Sequence, residues 1–182
     1  KEDWRHDLAG NISRSELIKD KDNWFYETAL KKLTERMFYR DYSKKESQTQ
    51  DIPKFELITL WVNYQKQHEF NPPHHHGGSY SFVVFMKIPT HWKEQHTLPM
   101  SANSTSPVAS DFQFLLGQGY KVYPHSFPLS PEDEGRMLFF PAQLKHQVFP
   151  FYGTEEERIT LSGNIVNDTF DEKMNEKKEK DE

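Results

Sequence analysis

The chain contains no cysteine among its 182 residues, which removes disulfides, thiolate metal sites and cysteine nucleophiles together. No apolar run approaches the ~20 residues that a bilayer-spanning helix needs, and nothing reads as a signal peptide. The expected setting is therefore a reducing, cytoplasmic one with no membrane partner. Strong positive charge is also lacking. A formal net charge of −5 argues against nonspecific nucleic-acid binding. No His-Glu-x-x-His helix is present, which disfavours a zinc protease. The hydrophobic fraction is only 35% and mean hydropathy −0.90, yet fourteen Phe raise the aromatic share to 14%. A single domain with an aromatic-rich core is expected at this length.

Three regions differ in character. Residues 1–54 read as an N-terminal helical part. Ser13 or Ser15 can cap a short helix through Leu17 and Ile18, and Trp24, Phe25, Ala29, Leu30, Leu33 and Met37 follow near helical spacing. The Lys31, Lys32, Arg36, Arg40, Lys44 and Lys45 excess on that helix reads as a solvated face. Ser43 to Pro53 is linker-like. Residues 55–168 turn to β: Phe55–Gln65, Tyr80–Ile88, Asp111–Leu116, Tyr120–Tyr123, Met137–Phe140, Gln147–Phe151 and Arg158–Ile165 are short, β-branched and aromatic, and mostly separated by Pro and Gly. That pattern predicts an all-β sandwich or barrel rather than βαβ units. Thr90 to Ser110 carries no periodicity and reads as a loop closing over a pocket, with His91 and Trp92 available to line it. Residues 169–182 are a charged tail.

The chemistry concentrates in histidines and one arginine. Asn71-Pro-Pro-His-His-His-Gly-Gly-Ser79 places His74 and His76 two residues apart, so on an extended backbone both side chains point the same way. Imidazole suits iron, zinc, copper or nickel, while a merely histidine-rich polar loop is the duller account of the triplet. His146 follows the strand Met137–Phe140 and the turn begun by Pro141. The Phe-Pro pairs at 140–141 and 149–150 predict a hairpin-like geometry around it. In Arg158-Ile-Thr-Leu-Ser-Gly-Asn-Ile165, alternation puts Arg158, Thr160, Ser162 and Asn164 on one face. A surface strand would alternate in the same way, but a buried carboxylate also needs a guanidinium fork with a hydroxyl beside it. On Phe55–Gln65, one face carries Thr59, Trp61, Asn63 and Gln65, whose amides suit a ligand carboxylate or a rim. A turn through Gly153–Glu157 would return the Arg158 strand alongside the one beginning at His146.

Taken together, Trp61-Val-Asn63, Asn71-Pro-x-His74-x-His76, Ser81-Phe-Val-Val-Phe85, Gly135-x-Met-Leu-Phe-Phe-Pro-Ala-x-Leu-x-His146-x-Val148 and Arg158-Ile-x-Leu-Ser-Gly-Asn164 resemble the Fe(II)/2-oxoglutarate-dependent oxygenase superfamily. The likeness is nearest to oxygenases carried by marine cyanophages and related bacteria, and it covers about residues 55 to 166. It implies a double-stranded β-helix, a jelly-roll or cupin-like barrel, with the N-terminal helices packed outside. It further implies Fe(II) on His74, His76 and His146, 2-oxoglutarate with its distal carboxylate on Arg158 and Thr160, O2 as oxidant, and Asn63 and Gln65 as further cosubstrate contacts. The implied activity is hydroxylation of a small-molecule or peptide substrate, in a host cytoplasm if the source is viral. Most of the superfamily has Asp or Glu where His76 stands, and no carboxylate occurs from Asn71 to Thr90. An alternative register takes His75 with Gly77 two residues on. Two other readings stay open: a cupin-like metal protein, which has no need of Arg158, and a degenerate oxygenase barrel serving as a binding or virion-associated module without turnover.

Overall fold

A computed structural model describes residues 2–42, 52–118 and 120–168. Ten strands and two α-helices follow one another as β1 (Glu2–Asp3), β2 (Arg14–Leu17), α1 (Lys31–Tyr42), β3 (Phe55–Gln65), β4 (Asn71–His74), β5 (Tyr80–Lys87), α2 (Trp92–Thr97), β6 (Phe112–Gln118), β7 (Lys121–Phe127), β8 (Met137–Pro141), β9 (His146–Val148) and β10 (Arg158–Asn167). Antiparallel pairing gathers them into a six-stranded sheet, β1-β2-β3-β10-β5-β8, and a four-stranded sheet, β4-β9-β6-β7. Among the described residues the sheets do not close into a barrel. They face each other as a jelly-roll sandwich, the double-stranded β-helix arrangement, and the chain is mainly β with few helices.

Period-two alternation decides which side chains enter the sandwich. One end of the interior is filled by Val83, Phe85, Ile88, Phe112, Phe114, Leu129 and Phe140. Phe114 and Phe140 meet edge to face with centroids 4.9 Å apart, a favoured geometry for aromatic pairs. The outer face of the large sheet is covered by the helical stretch that enters through a π-helical turn, Tyr26–Leu30, and continues as α1. Tyr26, Leu30 and Phe38 pack there on Phe55, Leu60, Tyr80, Phe82 and Ile165. The Asp20 carboxylate opens this helix by accepting from the Phe25 and Tyr26 amides at 2.8 and 2.9 Å. Helices outside the sandwich are thus observed, and the exposed basic residues on them are partly spent in solvated ion pairs, Lys31 with Glu27 and Arg40 with Asp41.

Four expectations change. The short helix expected after Ser13 or Ser15 is instead β2, because the edge of β3 offers unpaired backbone groups that only an extended chain can satisfy. Ser15 lies opposite Asn63 and its buried hydroxyl donates to Asn63 Oδ1 at 2.8 Å. Residues 90–110 are not an irregular flap: α2 forms, and the buried Gln95 amide donates to Tyr152 O and accepts from Tyr152 N, each at 2.9 Å. β8 and β9 do not form a hairpin, since the Ala142–Lys145 turn carries the chain from one sheet to the other. For the same reason β10 faces β9 across the sandwich instead of lying beside it. Asn71–His74 is a strand, in keeping with the extended backbone expected at His74. Ser43–Asp51, which holds Lys44, Lys45 and most of the linker, and the charged tail lie outside the described residues. No helix among the described residues is long and apolar enough to cross a membrane.

Candidate metal centre

β4 and β9 are neighbours in the small sheet, and their register sets His74 directly opposite His146. His76 follows two residues later, and its backbone N–H donates to Ala142 O at 2.9 Å. The chain then leaves through Gly78, whose φ of +103° brings it so close to the large sheet that a Cβ would meet Ile165 O at 2.8 Å. These constraints bring ligand nitrogens of all three imidazoles within 4.8 Å of one another. No other group of three or more His, Cys, Asp or Glu with metal-binding geometry occurs among the described residues.

The tautomers suit a cation. His74 Nδ1 lies 2.7 Å from Pro72 O and His146 Nδ1 lies 2.9 Å from Leu144 O. A carbonyl only accepts, so each Nδ1 carries the proton and each Nε2 keeps its lone pair, the orienting arrangement usual for metal-bound histidine. His76 Nε2 and His146 Nε2 sit 3.2 Å apart. Burial pushes the His76 imidazole down to about 3, with His146, His74 and His75 adding repulsion. Burial first and His74 second push His146 down to about 4, and His74 is lowered by burial as well. Neutral imidazoles converging in a desolvated site are what a divalent metal requires. The aromatic core holds them there: Phe112 stacks on His146 with centroids 5.6 Å apart, and Trp61 lies 5.7 Å from His76.

Across the interior, β3 and β10 present their polar faces. The pairs Arg158–Gln65, Thr160–Asn63 and Ser162–Trp61 are in register, and all six residues line one cavity of about 160 Å³ together with the three histidines. Arg158 is 1% exposed. Its Nη2 donates to Ser110 O at 3.0 Å and to Ser110 Oγ, and Nη1 lies 3.5 Å from Gln65 Oε1. Its guanidinium carbon stands 5.0 Å over the Phe151 ring. Burial pulls the guanidinium down to about 10, and Asp111 opposes that shift. Arg158 Nε and Trp61 Nε1 are buried with no partner among the described residues. Buried donors are nearly always paired, and both residues belong to the cavity lining. That fits an anionic ligand next to the histidines.

The expected site residues therefore meet, with distinct assignments. Asn63 Oδ1 is taken by Ser15, leaving its amide nitrogen for the cavity. Gln65 Nε2 donates to Glu69 O at 2.6 Å and its Oε1 faces Arg158, so it braces the arginine. Asn164 turns aside to accept from Ser81 Oγ at 2.7 Å. His75, the alternative ligand, is exposed and lies at the mouth. His91 and Trp92 line no part of the cavity, and neither does any other residue of 90–110. Asp7, Leu8, Ala9 and Ile12 border it instead, beside Asn71 and His75. Asn11 N–H on Phe70 O at 2.8 Å pins this segment, and Gly10 passes so near Asn71 that any Cβ would collide with its side chain. Nothing in the sequence around residue 10 signals this, because a single backbone bridge places the segment.

Imidazoles from one sheet facing a buried arginine from the other define the class of protein as a jelly roll with a candidate metal site beside a buried cation. Residues 59–164, more than half of the chain, match the model of the family described as "Putative 2OG-Fe(II) oxygenase". The chain belongs to that family. No curated protein matches it significantly. Among solved structures it is similar to an oxidoreductase of the 2OG-Fe(II) oxygenase family from Burkholderia pseudomallei, with 12% identity and a TM-score of 0.51 over 84% of this chain and 66% of that one. A Pseudomonas putida prolyl-4-hydroxylase aligns at 13% identity and TM-score 0.49, over 87% of this chain and 77% of that one. A cupin domain from Bordetella pertussis aligns at 13% identity and TM-score 0.34, over 66% of this chain and 97% of that one. At 12% identity the likeness to the Burkholderia protein concerns fold. The chain spans just under two thirds of the length of the Burkholderia protein.

Proposed function

We propose that this chain is a non-haem Fe(II)/2-oxoglutarate-dependent dioxygenase that hydroxylates a small-molecule or peptide substrate. One observation carries the reading: three inward Nε2-bearing imidazoles share a cavity with a fully buried arginine that has an unpartnered Nε. His74, His76 and His146 would hold the metal. Arg158, with Thr160 beside it, would take the far carboxylate of 2-oxoglutarate, and the Asn63 amide and Trp61 Nε1–H would be available as further donors. Bound iron and 2-oxoglutarate would supply oxidative decarboxylation coupled to C–H hydroxylation by O2. The protein's own contribution is orientation and exclusion of water. Phe112, Phe140 and Val148 keep the metal side dry, and β3 and β10 keep the anion side polar. The substrate would approach past Asp7, Leu8, Ala9 and Ile12.

A metal-binding role without turnover draws on the all-imidazole ligand set, because three histidines also suit zinc. Protein loaded anaerobically with Fe(II), then exposed to 2-oxoglutarate and O2, separates the two. Succinate formed in step with 2-oxoglutarate loss supports the oxygenase. Stoichiometric metal binding with no affinity for 2-oxoglutarate removes it.

A further inference from the structure

We infer that Ser110 is a positioning residue for the cosubstrate, fixing the orientation of Arg158 in the wall of the cavity; this rests on the 2-oxoglutarate reading above. Ser110 has φ +74°, a left-handed conformation that is uncommon and strained for a residue with a Cβ. It is 0% exposed, and its backbone is tied at both ends. Its N–H donates to Pro150 O at 2.8 Å, and its carbonyl accepts from Arg158 Nη2 at 3.0 Å. The unusual φ turns the carbonyl and the hydroxyl toward the same guanidinium nitrogen. Guanidinium nitrogens only donate, so Ser110 Oγ accepts from Nη2 and its own proton is free for Thr90 Oγ1, 3.2 Å away. Nη2 thus meets two acceptors on one residue.

Of the other donors, Nη1 lies 3.5 Å from Gln65 Oε1 and Nε has no partner. A guanidinium pinned at Nη2 has lost its freedom about the terminal side-chain torsions before the anion arrives. Preorganisation of that kind lowers the ordering cost of binding. Asp111, the next residue, accepts from His96 Nε2 at 2.9 Å and adds a favourable charge near Arg158. Glycine would adopt this positive φ freely but would offer the guanidinium only its carbonyl, so the serine adds a second acceptor on Nη2.

The test compares Ser110→Ala with Ser110→Gly. Both lose the hydroxyl, but glycine relieves the backbone strain and alanine keeps it, so Ser110→Gly should melt higher than Ser110→Ala. Calorimetric titration of Fe(II)-loaded protein with 2-oxoglutarate under argon should show both variants weakened alike, by roughly tenfold, the low end of what a charge-assisted hydrogen bond contributes. Fe(II) affinity should stay at the wild-type value in both. Should Ser110→Ala fail to fold, Ser110→Gly alone decides. Wild-type affinity for 2-oxoglutarate in Ser110→Gly, or affinity that merely follows melting temperature across the pair, overturns the role of Ser110 and leaves the oxygenase reading standing. No 2-oxoglutarate binding by the wild type overturns both.

Discussion

Arg158→Met separates binding from folding at the most informative position. Methionine keeps the length and much of the volume of the side chain but removes the charge and all five donors. The wild-type arginine is fully buried, with burial opposing its charge. Two contributions to folding then nearly cancel. Losing the Nη2 bonds to Ser110 costs about 1.5–3 kcal/mol, as for hydrogen bonds to charged groups. Exchanging a buried ion for a well-packed apolar group returns about 1–4 kcal/mol. The melting temperature should accordingly move by only a few degrees, at ~2–4 °C per kcal/mol for a chain of this size. Binding of 2-oxoglutarate has no such compensation, because a desolvated carboxylate left without its partner loses about 2–5 kcal/mol. That corresponds to a loss of ~30-fold to several thousand-fold in affinity. Titration of the anaerobic Fe(II) protein with 2-oxoglutarate, beside a thermal melt and a metal titration, reads all three quantities. Equal 2-oxoglutarate affinity in wild type and variant, with metal bound in both, would refute the assignment of Arg158. Arg158→Lys should recover part of the binding, since charge returns without the fork.

Other outcomes follow from the same geometry. His76→Ala should abolish tight metal binding, read as metal content after dialysis, while the sandwich persists, because His76 lies outside the two aromatic core clusters. The metal-free protein should lose stability as pH falls. His76 and His146 titrate at about 3 and about 4 when folded but near 6.5 when unfolded, so the unfolded chain binds protons first. Stability is intact above about 6.5 and declines through the 6.5-to-3 window; an apo melting temperature flat from pH 7 to 4 would contradict this. Gly163→Ala should lower stability by about 1–3 kcal/mol, as overpacking does, because the new Cβ would meet Thr59 O at 2.6 Å and the Phe82 ring at 2.7 Å. Denaturant melts read that change. Asp20→Ala should remove about 1 kcal/mol by uncapping the helical stretch, with metal affinity unchanged.

Some of this was legible in the residues alone. Alternation put Arg158, Thr160 and Ser162 on one face and Trp61, Asn63 and Gln65 on another, and all six line the cavity, because a strand's side-chain period is two whatever sheet it joins; Thr59 and Asn164, expected on the same faces, do not. The His-x-His spacing was readable from the same period and the helical stretch from Trp24 to Met37 from a helix's own, whereas His146 was singled out by the resemblance of its motif. Other features depended on contacts distant in sequence. Residues 14–17 have no strong intrinsic preference, and the open edge of β3 made them a strand. Gln95 and its pairing with Tyr152 turned 90–110 from a presumed flap into a packed segment, while one bridge at Phe70 carried residues 7–12 to the cavity mouth. Sheet membership decided most. Strands β9 and β10 are separated by nine residues, and local pattern does not say whether such strands pair or face each other. Because they face, His146 and Arg158 look at one another across a single cavity, and Ser110 reaches the arginine from outside its lining. The sequence by itself determined which atoms could do chemistry; only long-range pairing of the sheets decided which of them meet.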